Sequence, residues 1–111
     1  MKIVHYINQF FGQIGAESEA NFPLEVRKGP VGPGTLLNSL LCENGEVVTT
    51  IVCGDNYFAE HTDELTDTII QVLKENKADI LVAGPAFTAG RYGLACGNVC
   101  KIAHQRVGIP A

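Results

Sequence analysis

The chain has 111 residues, of which 46% are hydrophobic and 18% charged. That composition fits one globular domain of modest size and excludes a disordered chain. The net charge of −4 argues against a nucleic-acid partner, which needs a basic face, and no run approaches the roughly 20 apolar residues of a membrane span.

The opening Met1-Lys2-Ile3-Val4-His5-Tyr6 lacks the apolar stretch and small-residue cleavage site of a signal peptide, so a cytoplasmic protein is expected. Lys2 to Ile7, β-branched and aromatic, predicts a first strand. Asn8 to Gly34 reads as a long polar loop, and loops of that length usually carry function. Its Gly29-Pro30-Val31-Gly32-Pro33-Gly34 tract is unsuited to a regular helix or central strand.

Thr35 to Asn44 predicts a helix. Leu36, Leu37, Leu40 and Leu41 fall at helical spacing, and Asn44-Gly45 is a stop signal. Glu46 to Cys53 predicts a second strand, apolar on both faces. Gly54-Asp55-Asn56 ends it, with Asp55 or Asn56 placed to cap the next helix. That helix is expected from Phe58 to Asn76, with Leu65, Ile69, Val72 and Leu73 as its apolar stripe. Ala78 to Gly84 predicts a third strand, Gly84 to Gly93 a glycine-rich turn, and Tyr92 to Arg106 a third helix. Gly108-Ile109-Pro110-Ala111 resembles the entrance to a fourth strand, which suggests an incomplete domain or the amino-terminal fragment of a longer one.

The order βαβαβα with doubly apolar strands predicts a three-layer α/β domain spanning residues 1–111. Its sheet would be parallel with flanking helices, Rossmann-like or flavodoxin-like. In such sheets ligands bind outside the carboxyl ends of the strands. Those ends carry Asn8 and Gln9, then Asp55 and Asn56, then the loop leading to Arg91. A helix amino end suits an anion, and the Arg91 guanidinium matches a carboxylate or phosphate. These five residues are the candidate substrate-binding set, and Asp55 would suit a substrate ammonium.

The glycine patterns do not make a nucleotide site: Gly84 to Gly93 contains neither GxGxxG nor GK[ST]. Without a secretory start, Cys42, Cys53, Cys96 and Cys100 read as free thiols. Their spacing is neither a zinc pattern nor a CxxC pair, so no metal is expected. Cys96 and Cys100 share a helix stripe with Ala103 and Val107 that should face the sheet. No Ser-His-Asp or Cys-His set is visible, and the catalytic residues stay unassigned.

Four strings carry a resemblance: Val4 to Phe11, Gly29 to Gly34, Cys53-Gly54-Asp55-Asn56-Tyr57-Phe58, and Ala83 to Gly93. They resemble, in order along the whole chain, the amino-terminal portion of the selenoprotein B component of glycine, sarcosine and betaine reductases. The resemblance implies an oxidoreductase subunit in amino-acid fermentation. Its complex cleaves glycine or an N-methylated glycine reductively toward acetyl phosphate, with a disulfide as acceptor. The implied partners are a small amino-acid substrate and other subunits of the complex, with room for a homo-oligomer. The implied selenocysteine and pyruvoyl group would lie elsewhere in the complex, beyond these residues, so the chain alone is expected to be inactive. An alternative expectation is a non-catalytic interaction or oligomerisation module acting through the Asn8–Gly34 loop.

Overall fold

A computed structural model describes residues 1–86 and 90–111. Strand β1 (Lys2–Asn8) forms the centre, every residue after Lys2 being buried. It pairs in parallel with β3 (Glu46–Cys53) on one side and with β4 (Ile80–Ala83) on the other. A burial this complete requires covered faces on both sides, and it explains why β1 and β3 are rich in Val and Ile.

The sheet order is β2-β3-β1-β4, and β2 (Glu25–Lys28) runs antiparallel to β3. The sheet is therefore mixed, with an edge strand inside the segment expected to be loop. Its sequence Glu-Val-Arg-Lys has no apolar run, and its Arg27 Nε lies 3.1 Å from Glu25 Oε1. Charged, short edge strands are a common way to discourage further pairing.

Side chains alternate across the sheet. Val4, Tyr6, Ile51, Cys53 and Leu81 face one side and enclose the main core with helices α2 (Asp55–Glu60), α3 (Thr62–Glu75) and α4 (Arg91–Ile102). His5, Thr50 and Val82 share a register on the opposite side, where α1 (Pro33–Leu41) packs.

Several boundaries differ from expectation. Helix α1 starts at Pro33, inside the Gly-Pro tract, because a proline at the first helical turn loses no intrahelical bond. It ends at Leu41, where Cys42 takes φ 50°, ahead of Asn44. The single predicted helix from Phe58 to Asn76 is two helices, broken at His61 (φ −127°, ψ 27°). The His61 ring stacks on Tyr57 with centroids 4.0 Å apart and its Nδ1 donates to the Tyr57 carbonyl at 2.9 Å. Helix α4 continues as a wider turn over Ala103–Val107, ended by Gly108 at φ 83°. No strand forms at Gly108–Ala111, although the Leu81 N–H donates to the Pro110 carbonyl at 3.0 Å. Of the predicted Gly84–Gly93 turn, Phe87, Thr88 and Ala89 lie outside the described residues.

The loop after β1 is tied to the end of β3. Gly54 N–H donates to Phe22 O at 2.8 Å, and Asn56 and Tyr57 N–H both donate to Ala20 O. A Cβ on Gly54 would stand 2.3 Å from Ala20 O and 2.6 Å from Phe22 N. Both are backbone atoms, so no side chain can swing aside. Gly54→Ala should therefore cost about 1–3 kcal/mol, read as a lowered midpoint in urea unfolding. An unchanged midpoint would show that the loop detaches freely.

Candidate functional site

The carboxyl ends of β1, β3 and β4 lie side by side because β1 pairs with both neighbours, Asn8 standing opposite Cys53 and Tyr6 opposite Ala83. All five predicted residues lie at this edge, in two linked groups.

The first group is buried. Asn8 Oδ1 accepts the N–H groups of Phe10 and Phe11, each at 3.1 Å, which turns the chain sharply out of β1. Its Nδ2 donates to Asp55 Oδ2 at 3.1 Å. Gln9 Oε1 accepts the Asp55 backbone N–H at 3.3 Å, while Gln9 Nε2 donates to Ala16 O at 3.2 Å. Asn8 and Gln9 thus grip Asp55 by its side chain and its backbone. Asp55 is 8% exposed and stands as the first residue of α2, where no side chain caps the helix. It therefore does not make the expected cap bond.

The second group is exposed. Arg91 opens α4, and its Nη1 donates to Asn56 Oδ1 across 35 residues of sequence. Asn56 follows Asp55 directly, so the two groups share one corner. Gly90, preceding Arg91, has φ 118°, a conformation that a side chain would strain. Among the described residues no side chain caps the amino end of α4.

Beneath this corner lie two phenols that the sequence reading passed over. Tyr6 and Tyr92 hydroxyls are buried without a hydrogen-bond partner among the described residues. The thiol of Cys53 lies beside Tyr6 and that of Cys96 beside Tyr92. Burial pushes both phenols up in pKa, and Asp55 adds to the rise. Burial likewise pushes Cys53 up to about 12 and Cys96 up to about 11. Burial thus favours the protonated thiol at both positions near neutral pH. A signal for Tyr6 was present, since strand periodicity puts it on the same face as Asn8. Among the described residues no three His, Cys, Asp or Glu side chains converge to hold a metal, and no helix is long and apolar enough to cross a membrane.

Comparison with known proteins adds what geometry leaves open. The model of the glycine/sarcosine/betaine reductase selenoprotein B family matches residues 1–111. The chain belongs to that family. It is 50% identical over 110 residues to the glycine reductase complex component B subunit gamma of Symbiobacterium thermophilum, covering 99% of this chain and 26% of the relative. It is 48% identical over 111 residues to the sarcosine reductase complex component B subunit beta of Peptoclostridium acidaminophilum, covering 100% of this chain and 26% of the relative. To the betaine reductase complex component B subunit beta of the same organism it is 45% identical over 109 residues, covering 98% of this chain and 25% of the relative. The chain spans about a quarter of the length of these relatives. No solved structure matches. The family assignment agrees with the motifs at the strand ends, which are the same segments that build the corner.

Two outcomes test the geometry. Asn8→Asp should preserve the turn but set a second carboxylate against Asp55, costing about 1–3 kcal/mol at neutral pH. The repulsion raises the folded-state pKa of the pair, so the cost relative to wild type should shrink as pH falls toward 4. A pH-independent difference in unfolding free energy would contradict the contact. Separately, iodoacetamide at pH 8 should label exposed Cys42 long before buried Cys53 and Cys96, as read by peptide mass mapping. Rapid native labelling of Cys53 would contradict its burial.

Proposed function

We propose that this chain supplies the substrate-binding corner of a reductase complex component B, with Arg91 and Asn56 receiving a carboxylate. The observation that carries the reading is the Arg91–Asn56 contact at the amino end of α4, immediately beside Asp55. Two features support it. A helix amino end and a guanidinium both favour an anion. The relatives are named for glycine, sarcosine and betaine reductases, and those three molecules share a carboxylate while differing at nitrogen.

In this reading Asn8 and Gln9 act through Asp55. They hold its carboxylate at the corner, where it faces the ammonium end of the substrate. Glycine and sarcosine could donate N–H bonds to it, while betaine could offer only charge. The carboxylate contact would then be common to all three, and discrimination would rest on the nitrogen side. The reductive cleavage toward acetyl phosphate belongs to the complex, whose selenocysteine and pyruvoyl group we assign to regions outside these residues. Other subunits of the complex are the expected partners.

Isothermal titration of glycine, sarcosine and betaine into the full-length subunit tests the carboxylate contact. Arg91→Ala should weaken all three roughly 10- to 100-fold, the usual range for losing a charged hydrogen-bond donor. Equal affinity in wild type and variant would remove Arg91 from the site.

A further inference from the structure

Helix α1 reads Pro-Gly-Thr-Leu-Leu-Asn-Ser-Leu-Leu, and its paired leucines make a stripe broad enough to meet two surfaces. Only half of it is used. Leu37 and Leu41 are half-buried, whereas Leu36 is 64% and Leu40 71% exposed. The strand opposite shows the same imbalance. On β4, Leu81 is fully buried against the main core, while Ile80 and Val82, which point to the α1 side, are only half-buried.

Between them runs a groove of about 370 Å³, walled by Leu36, Leu37, Leu40, Val82 and Pro85 with His5 at its floor. No charged residue lines it among the described residues. His5 Nε2 donates to the Gly84 carbonyl at 2.6 Å, and its buried Nδ1 has no partner among the described residues.

Simple dimensions say what is missing. Four strands spaced about 4.8 Å apart span roughly 15–19 Å, and a helix with side chains is about 10 Å wide. Each face of this sheet therefore accommodates two helices side by side. The main core side has them, with α2 and α3 end to end beside α4. The other side has α1, packed toward β3, and the groove occupies the remaining place over β4.

We propose that this groove seats an amphipathic helix contributed by the part of the full-length subunit outside these 111 residues. The relatives carry about three-quarters of their length outside the matched segment, which is ample for such a helix. A second copy of the chain fits less well. A stable dimer buries about 800 Å², or 20–30 residues, on each partner, and this groove is lined by nine described residues. A helix on the same polypeptide avoids the entropy of association, so a small apolar seat is enough. An uncharged lining calls for an apolar stripe.

The test grafts these 111 residues into the Symbiobacterium relative in place of its matched segment. Amide hydrogen exchange across Pro33–Leu41 is compared between the graft and the isolated chain. At least tenfold slower exchange in the graft is expected. The double variant Leu36→Gln/Leu40→Gln should leave the urea midpoint of the isolated chain unchanged and lower that of the graft. Equal exchange in both contexts, or equal tolerance of the variant, would overturn the proposal. So would a concentration-dependent dimer of the isolated chain that the variant abolishes, since a second copy would then fill the groove. If the graft does not fold, the exchange comparison is made on the relative's whole subunit against its matched segment alone, with the same deciding results.

Discussion

The hydrogen bond from Asn8 to Asp55 joins the two halves of this molecule. One partner ends the central strand and the other begins the helix after its neighbour, 47 residues later. The bond is buried, so leaving either group unpaired would carry the full cost of desolvation. Everything at the carboxyl edge is arranged around it. The oxygen of Asn8's amide turns the chain away from β1, Gln9 fixes the Asp55 backbone, and Asn56 is thereby delivered to Arg91.

That arrangement divides the corner into a rigid interior and a receptive rim. Asn8 and Gln9 use their amide groups within the protein, and the phenols and thiols beneath them are held neutral by burial. The rim presents a guanidinium and the amino end of a twelve-residue helix. In the proposed function, this cationic rim beside the buried Asp55 carboxylate would recognise a small zwitterion. The raised thiol pKa values favour the protonated form of Cys53 and Cys96 near neutrality.

How far the sequence reveals this depends on the range of the interaction. β1 and β3 are apolar on both faces, a local signal that survives folding, and β3 falls at Glu46–Cys53 as expected. Strand β2 is half-exposed and charged, so its pairing comes from β3 and leaves no local mark. The break at His61 is equally hidden, because Phe58, Leu65 and Ile69 all reach the same core across it. For the candidate site, reading off the carboxyl ends of the parallel strands placed all five residues at one edge. It could not show that Asn8 and Gln9 spend their amides on Asp55, since that depends on partners far away in sequence. The polar residues of a strand end look alike until their partners are known.

The central claim is that this corner receives a carboxylate through Arg91 and Asn56 while Asn8 and Gln9 only position Asp55. A nitrogen-15 NMR titration with betaine, following side-chain and backbone signals of the 11.9 kDa chain, addresses it most directly. The account predicts shifts in the Arg91 guanidinium, the Asn56 amide and the first backbone amides of α4, with the Asn8 and Gln9 side-chain amides almost still. Shifts confined to residues away from the start of α4, or larger at Asn8 and Gln9 than at Arg91, would contradict it.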